Sequence, residues 1–323
     1  MSADINNKPG VAFIGLGIMG HRMLSSMTAH GGFRIVCAWD PSDKARDEVA
    51  KQYPDVRIAS DAADAINDAD TVVTYIACPP AAHKEYALMA ADAGKIVYCE
   101  KPLGVDVEES RELVAAFADK GVKNAVNFPF ADAAAVNLMM EDLKSGAIGE
   151  VTGVDVRLHF ARWPRGWQEA APWLSQRDEG GFVREVASHY IYLVEKLFGS
   201  AELINSSVVY PNDDISCETH FMAQMDCDGI PISMAGGSGG VGPDIVQFTI
   251  WGAKKSYKLW DWNQIYSTTG GEWERQLTHI EDARQDGYMR MLDNFMRQVK
   301  GDAHTMASFE DALSVQLLVE DIL

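Results

Sequence analysis

The feature that most constrains this chain is an apolar run, Val11-Ala12-Phe13-Ile14, that breaks into Gly15-Leu16-Gly17-Ile18-Met19-Gly20 and continues as a helical pattern from His21 to His30. Each glycine at this spacing has its own reason. The first makes a tight turn, the second lets the backbone approach a pyrophosphate, and the third lets the helix pack close to the strand. The helix that follows aims its unsatisfied N–H groups and the positive end of its dipole at the same place. Gly15, Gly17, Ile18, Met19 and Gly20 are therefore candidate dinucleotide-binding residues. A lone glycine turn carries little weight; its place between the first strand and a helix is what makes it specific.

The first half keeps the same alternation. Strand-like runs at 34–39, 71–76, 95–99 and 123–127 are separated by amphipathic stretches at 42–53, 81–93 and 108–120. Apolar strands joined by crossover helices imply a parallel, doubly wound sheet, whose ligands sit at the carboxyl ends of the strands. Asp40 ends the second run, twenty residues beyond Gly20, where a carboxylate accepts hydrogen bonds from ribose hydroxyls. With Asp43 close by and no arginine directly after Asp40, a 2′-phosphate is disfavoured and NAD is expected over NADP; Lys44 and Arg46 leave NADP open. The alternative is that Asp40-Pro41-Ser42 is only a turn and a helix cap.

The second half changes character. From Val154 the segment V-T-G-V-D-V-R-L-H-F alternates strictly, placing Val154, Val156, Leu158 and Phe160 on one face and Asp155, Arg157 and His159 on the other. Further strand runs at 201–210, 216–227, 230–235, 244–251 and 256–262 and two helices at 284–300 and 308–323 predict an α+β domain built on an open, mainly antiparallel sheet. The expected division is a Rossmann domain over 1–126 and a substrate-binding and oligomerisation domain over 127–323.

Composition narrows the function classes. The net charge of −19 repels phosphate backbones and anionic lipid, so a nucleic acid or a membrane surface is not an expected partner. Five cysteines, widely spaced and without a C-x-x-C pair, argue against a disulfide framework and a structural zinc, so no metal is expected. The polar N-terminus lacks the features of a secretory signal. A cytoplasmic protein is the natural expectation.

Glu100-Lys101-Pro102 after the run at 95–99, with the glycine turn upstream, resembles the signature of the Gfo/Idh/MocA family of oxidoreductases, named for glucose-fructose oxidoreductase and inositol 2-dehydrogenase. Pro79-Pro80-Ala81-Ala82-His83, the stretch from Leu143 to Val151, and Gly180-Gly181 followed by Glu185-Val186-Ala187-Ser188-His189 agree in order and spacing. The resemblance implies an NAD(P)-dependent dehydrogenase acting on a sugar, cyclitol or sugar acid. It implies that Cys78, Pro79, His83, Glu100 and Lys101 line the cofactor, and that the C-terminal sheet pairs two or four copies, with Trp251, Tyr257, Trp260 and Trp262 as interface candidates. It further implies that His189 is the general base, that Lys101 polarises the reacting oxygen and that Glu185 positions both.

The helix from Val183 carries an independent reading. Val183, Val186, Tyr190, Leu193 and Leu197 form an apolar stripe, while Glu185, His189 and Tyr192 share a polar face on which the carboxylate can orient the imidazole. Before that helix, residues 161–181 hold Trp163, Trp167 and Trp173 with Arg162, Arg165 and Arg177, and Arg184 follows. Aromatic faces stack on sugar rings and guanidinium groups pair with anions, so Arg162, Trp163, Arg165, Trp167, Arg184 and Tyr192 join Lys101, Glu185 and His189 as substrate candidates. The alternative is that these tryptophans pack an interface and the arginines pair with Glu169, Asp178 and Glu179.

Against the family's pattern, Glu185 replaces an aspartate, Ala187 a glycine and Tyr192 an acidic residue, and the arginine often found after 127 is missing. Two other readings stay open. One is a regulator that binds the dinucleotide without catalysis; the other is a 3-hydroxyisobutyrate-type hydroxyacid dehydrogenase, against which the strand-rich second half counts.

Overall fold

The computed structural model of the chain describes residues 8–169 and 171–323; the polar N-terminus at 1–7 and Ala170, both read above, lie outside them. The chain divides into two compact units. The first runs to Phe128 and includes Tyr288–Leu313; the second comprises Pro129–Gly287 and Ser314–Leu323.

The first unit alternates β1 (Gly10–Ile14), α1 (Ile18–His30), β2 (Arg34–Trp39), α2 (Asp43–Gln52), β3 (Arg57–Ile58), α3 (Ala62–Ile66), β4 (Val73–Ile76), α4 (His83–Asp92), β5 (Ile96–Cys99), α5 (Val107–Lys120) and β6 (Asn124–Val126). The strands run parallel in the order β3-β2-β1-β4-β5-β6, the doubly wound order that reverses between β1 and β4. Local chemistry starts the helices. Ser42, Asp61 and Asp106 accept backbone N–H bonds from Ala45, Asp64 and Glu109 in the first turns of α2, α3 and α5. By contrast, α1 has glycine at its N-cap, no side-chain cap and no acidic residue in its first turn.

In the chain order of the second half come α6 (Ala134–Ser145), β7 (Val151–Phe160), α7 (Ser188–Phe198), β8 (Glu202–Val209), β9 (His220–Cys227), β10 (Ile230–Ser238), β11 (Ile245–Gly252), β12 (Ser256–Trp260), β13 (Gln264–Thr268), β14 (Glu274–Arg275), α8 (Ala283–Lys300) and α9 (Phe309–Ile322). Eight of the strands form one sheet in the order β14-β13-β12-β11-β7-β10-β9-β8. Only β7 and β10 run parallel; the other neighbours are antiparallel. The alternation read in β7 is realised, with Val154, Val156, Leu158 and Phe160 buried and Asp155 and Arg157 exposed.

The sequence reading assigned everything after 126 to the second domain, whereas 288–313 packs with the first unit. Phe295 of α8 is fully buried, stacks on Tyr98 at 4.5 Å and lies 5.8 Å from Phe33. Lys123 donates to the carbonyls of Gln298 and Val299 at the end of α8, where a cation suits the negative end of the helix dipole. Among the described residues, no helix is long and apolar enough to cross a membrane.

Candidate functional site

In the first unit the residues singled out in sequence gather at the carboxyl ends of β1, β2, β4 and β5. Gly15 has φ +96°, and a Cβ there would meet the backbone of Ala77 and Cys78 at 2.5 Å; a Cβ on Gly20 would lie 2.1 Å from the Gly15 carbonyl oxygen. The fold itself requires these two glycines. At Gly17 a Cβ would meet nothing within 4 Å. The bare backbone there, at an uncapped helix N-terminus, fits the close approach of an anionic ligand, and the backbone of Ile18, Met19 and Gly20 supplies the first turn.

Asp40 stands beside that turn. Its Oδ2 accepts the Leu16 N–H at 2.7 Å and its Oδ1 the Ser42 N–H at 2.8 Å, so the carboxylate is fixed while each oxygen keeps acceptor capacity. Arg46 donates to the Asp40 carbonyl and to the Asp43 carboxylate. Asp40-Pro41-Ser42 is therefore a turn whose Ser42 caps α2, and it sets a fixed carboxylate beside the glycine turn.

The loops after β4 and β5 are joined by His83. It is 1% exposed, with Nδ1 2.9 Å from the Pro102 carbonyl and Nε2 2.9 Å from the Cys78 carbonyl. Burial pulls its pKa down against those two bonds. Expected as a cofactor contact, His83 is instead turned inward, holding together the two loops that present Cys78, the exposed Pro79 and Lys101. Cys78 is half-buried, and burial pushes its thiol up to about 12.

Glu100 is also turned inward. Its Oε1 accepts the Tyr75 hydroxyl and, at 2.6 Å, the Asn127 amide, while Tyr98 donates to Asn127 Oδ1 at 2.9 Å. Burial raises the pKa of this carboxyl, opposed by its two hydrogen bonds and by the charges of Lys101 and Arg22. Lys101, half-buried, thus sits between a residue anchored below the sheet end and a proline whose carbonyl His83 holds.

In the second unit the segment Val183–Ala187 is a π-helical turn that runs directly into α7. Such turns are rare and recur at functional sites. Glu218, 2% exposed, accepts the Val183 N–H at 2.6 Å and so caps the start of this turn. Burial pushes its pKa up, against the backbone donors and Arg184. Glu185 lies in the π turn and His189 in the first turn of α7, both half-buried. The His189 ring stands perpendicular to Trp262, centroids 5.4 Å apart.

These geometries coincide with two family matches. Residues 10–128 match the Gfo/Idh/MocA oxidoreductase family's NAD-binding Rossmann fold, and 140–323 match the same family's C-terminal alpha/beta domain. The chain belongs to this family. It is 30% identical to levoglucosan dehydrogenase of Pseudarthrobacter phenanthrenivorans over 49% of this chain and 41% of that protein, and 36% identical to inositol 2-dehydrogenase of Rhodococcus erythropolis over 35% of this chain and 33% of that protein. The matches thus span less than half the length of these relatives. A levoglucosan dehydrogenase structure in complex with NADH and levoglucosan superposes with TM-score 0.87 at 21% identity, covering 98% of this chain and 96% of that one. At that identity the likeness speaks for the fold.

Within this Gfo/Idh/MocA member, the tryptophan and arginine stretch differs from its sequence reading. Arg184 donates to both carboxylate oxygens of Glu320 at 2.7 Å and to the carbonyls of Arg177 and Gly180, which uses most of its donors and gives it a structural role in place of the expected substrate contact. Trp163 packs on Phe160 and Phe182 and donates to the Leu174 carbonyl. Arg162 pairs with Glu169, as the alternative reading had it, and Arg177 lies over the Tyr210 ring. Arg165 sits over Phe160 and the exposed Trp167. Tyr192 is buried rather than on an open polar face, with Lys196 over its ring.

Two interface candidates are also revised. Tyr257 is fully buried and donates to Asp142, and Trp262 turns toward His189. Sequence reasoning missed Glu218 and Trp262 as neighbours of the Glu185–His189 turn. Nothing local marks either one, because each reaches that turn from a distant strand end.

Proposed function

We propose that the protein is an NAD(P)-dependent oxidoreductase that moves a hydride between the nicotinamide and a hydroxyl-bearing carbon of a sugar, cyclitol or sugar acid. The observation that carries the reading is the glycine turn at α1, where the fold demands Gly15 and Gly20 but leaves Gly17 bare. The dinucleotide, when bound, supplies the hydride acceptor or donor. Gly15, Gly17, Ile18, Met19 and Gly20 hold its pyrophosphate, and Asp40 accepts the ribose hydroxyls, which favours NAD; Arg46 is drawn to Asp43 and the Asp40 carbonyl.

Proton movement at the substrate oxygen falls to the chain's own residues. Lys101 donates a hydrogen bond that polarises the oxygen, His189 takes its proton in the oxidative direction, and Glu185, one turn earlier, orients the imidazole. An imidazole titrates near neutrality without tuning, whereas a lysine ordinarily holds its proton to about pH 10. Trp167 and Arg165 provide the aromatic and cationic surface suited to a polyhydroxylated or acidic substrate. Two supports extend the reading: exposed Ile204, Met222 and Trp251 suit an oligomer through the eight-stranded sheet, and five free cysteines suit a reducing cytoplasm.

The test is reduced-nicotinamide absorbance with a panel of sugars, cyclitols and sugar acids, run with NAD and NADP. Lys101→Met and His189→Ala should each lower turnover by about 100-fold or more while NAD binding stays within a few-fold of the parent. Tight NAD binding with no turnover on any member of the panel would overturn the enzyme reading in favour of a dinucleotide-binding regulator.

A further inference from the structure

The β12–β13 hairpin closes with Trp260 opposite Gln264, leaving Asp261, Trp262 and Asn263 as its loop. Asp261 has φ 46° and Trp262 φ 67°, so two consecutive non-glycine residues occupy the left-handed region. Aspartate tolerates that region; a bulky tryptophan there is uncommon, and tight hairpins ordinarily place glycine or asparagine at such positions. Strained backbone of this kind persists where the surroundings fix it, and it clusters at functional sites. Here the Asp261 N–H donates to the Val246 carbonyl at 2.9 Å and the Asn263 N–H to the Asp261 carbonyl at 2.8 Å.

The consequence of that backbone is the place of the indole. It lies 5.5 Å from the Tyr190 ring and 6.2 Å from Phe130, stacked on the latter at 22°, and it stands at 83° to the His189 ring with 5.4 Å between centroids. Tyr190 and Phe130 are themselves immobilised, 0% and 2% exposed, with Tyr190 backed by Phe248 of β11. Trp262 therefore has a rigid wall behind it and the imidazole in front. A glycine in the same turn would relax the backbone and leave His189 without this neighbour.

We propose that Trp262 is a positioning residue for His189: the perpendicular indole restricts the imidazole to one orientation, so that the ring nitrogen exchanging the substrate proton faces a fixed direction. This rests on His189 being the base proposed above, but the packing can be read independently of turnover. An imidazole rotates about two side-chain torsions, and α7 constrains only the first closely. A misdirected base loses rate without losing cofactor affinity.

The experiment compares Trp262→Phe and Trp262→Leu by steady-state kinetics and by the ¹H–¹³C imidazole signals of His189, assigned from their loss in His189→Ala. In the Leu variant kcat should fall about 10-fold to 100-fold, with KM for NAD within two-fold, and the His189 signals should broaden as the ring exchanges between orientations, beyond the shift that loss of the indole ring current alone produces. The Phe variant should return both readouts most of the way. His189 signals that stay as narrow as the parent's in a folded Leu variant overturn the proposal whatever the kinetics. If circular dichroism finds the Leu variant unfolded, the Phe variant decides: His189 signals close to the parent's support the role, displaced ones overturn it. Broadened signals in the Leu variant alongside full turnover in His189→Ala would leave the positioning intact and remove the catalytic reading instead.

Discussion

At the scale of single residues, the site region is governed by how buried polar groups are satisfied. Glu100 is 5% exposed, and its carboxyl is raised above the ordinary range chiefly by burial. A folded-state pKa above the unfolded one means that the protonated form favours the fold. That contribution is complete below about pH 4, the unfolded carboxyl range, and is lost as pH climbs through the raised value. Glu100→Gln keeps an acceptor for Tyr75 and Asn127 and removes the titration. Urea midpoints measured from pH 4 to pH 8 should therefore converge at the acid end and favour the Gln variant at neutrality. A variant less stable than the parent at pH 8 but not at pH 4 would show that the sign is wrong. The residue types at 100, 101, 185 and 189 were legible as a pattern, but not which way each side chain points. His83 and Glu100 read as ligand contacts, and both turn inward, His83 onto the carbonyls of Cys78 and Pro102 and Glu100 onto the Tyr75 hydroxyl and the Asn127 amide.

Among elements, the turn between β1 and α1 separates what the fold needs from what a ligand needs. Gly20→Ala forces a Cβ to 2.1 Å from a backbone oxygen that has nowhere to move. It should cost about 3 kcal/mol or more of stability, as steric overpacking of rigid backbone does. Gly17→Ala meets nothing and should leave the thermal midpoint nearly unchanged while weakening NAD binding about 10-fold or more through the lost close approach. Calorimetry of NAD binding together with a melting curve distinguishes the two: a Gly17→Ala protein that binds NAD like the parent removes the pyrophosphate reading. Periodicity located most of the longer elements, since 3.6- and 2-residue repeats are properties of local sequence. It did not find α6, nor β13 and β14. A two-residue strand such as β3 or β14 has no period to detect, and the π turn at Val183–Ala187 is held by Glu218, which reaches it from the loop before β9, a partner no local pattern could name.

For the whole molecule, charge and exposed apolar surface set the expectations. The net charge of −19 opposes association of like-charged copies at low salt, whereas Trp251 on the outer side of β11 is 42% exposed, tilted against Trp273 and hydrogen-bonded to Asp155 at 2.6 Å. If a second copy covers this surface, Trp251→Glu should shift sedimentation toward the monomer, and added salt should strengthen association of the parent by screening its like charges. A parent that sediments as a monomer at all salt concentrations would remove the oligomer reading. Tyr257, grouped with Trp251 as an interface candidate, belongs to the covered face: it pairs across the ladder with buried Ile250, whose strand neighbour Trp251 points the opposite way.

The sequence by itself determined most of the longer elements and their order: the strand, glycine turn and helix at the start, the parallel first sheet, the alternating β7 and the family those features announce. These are consequences of spacing along the chain. Tertiary structure alone decided the partners. Arg184 found Glu320, 136 positions away; Glu218 found Val183; Trp262 found His189; and Phe295 brought α8 to the first unit. A polar or aromatic side chain settles against whatever the fold brings within a few ångströms, and sequence separation carries no information about that distance.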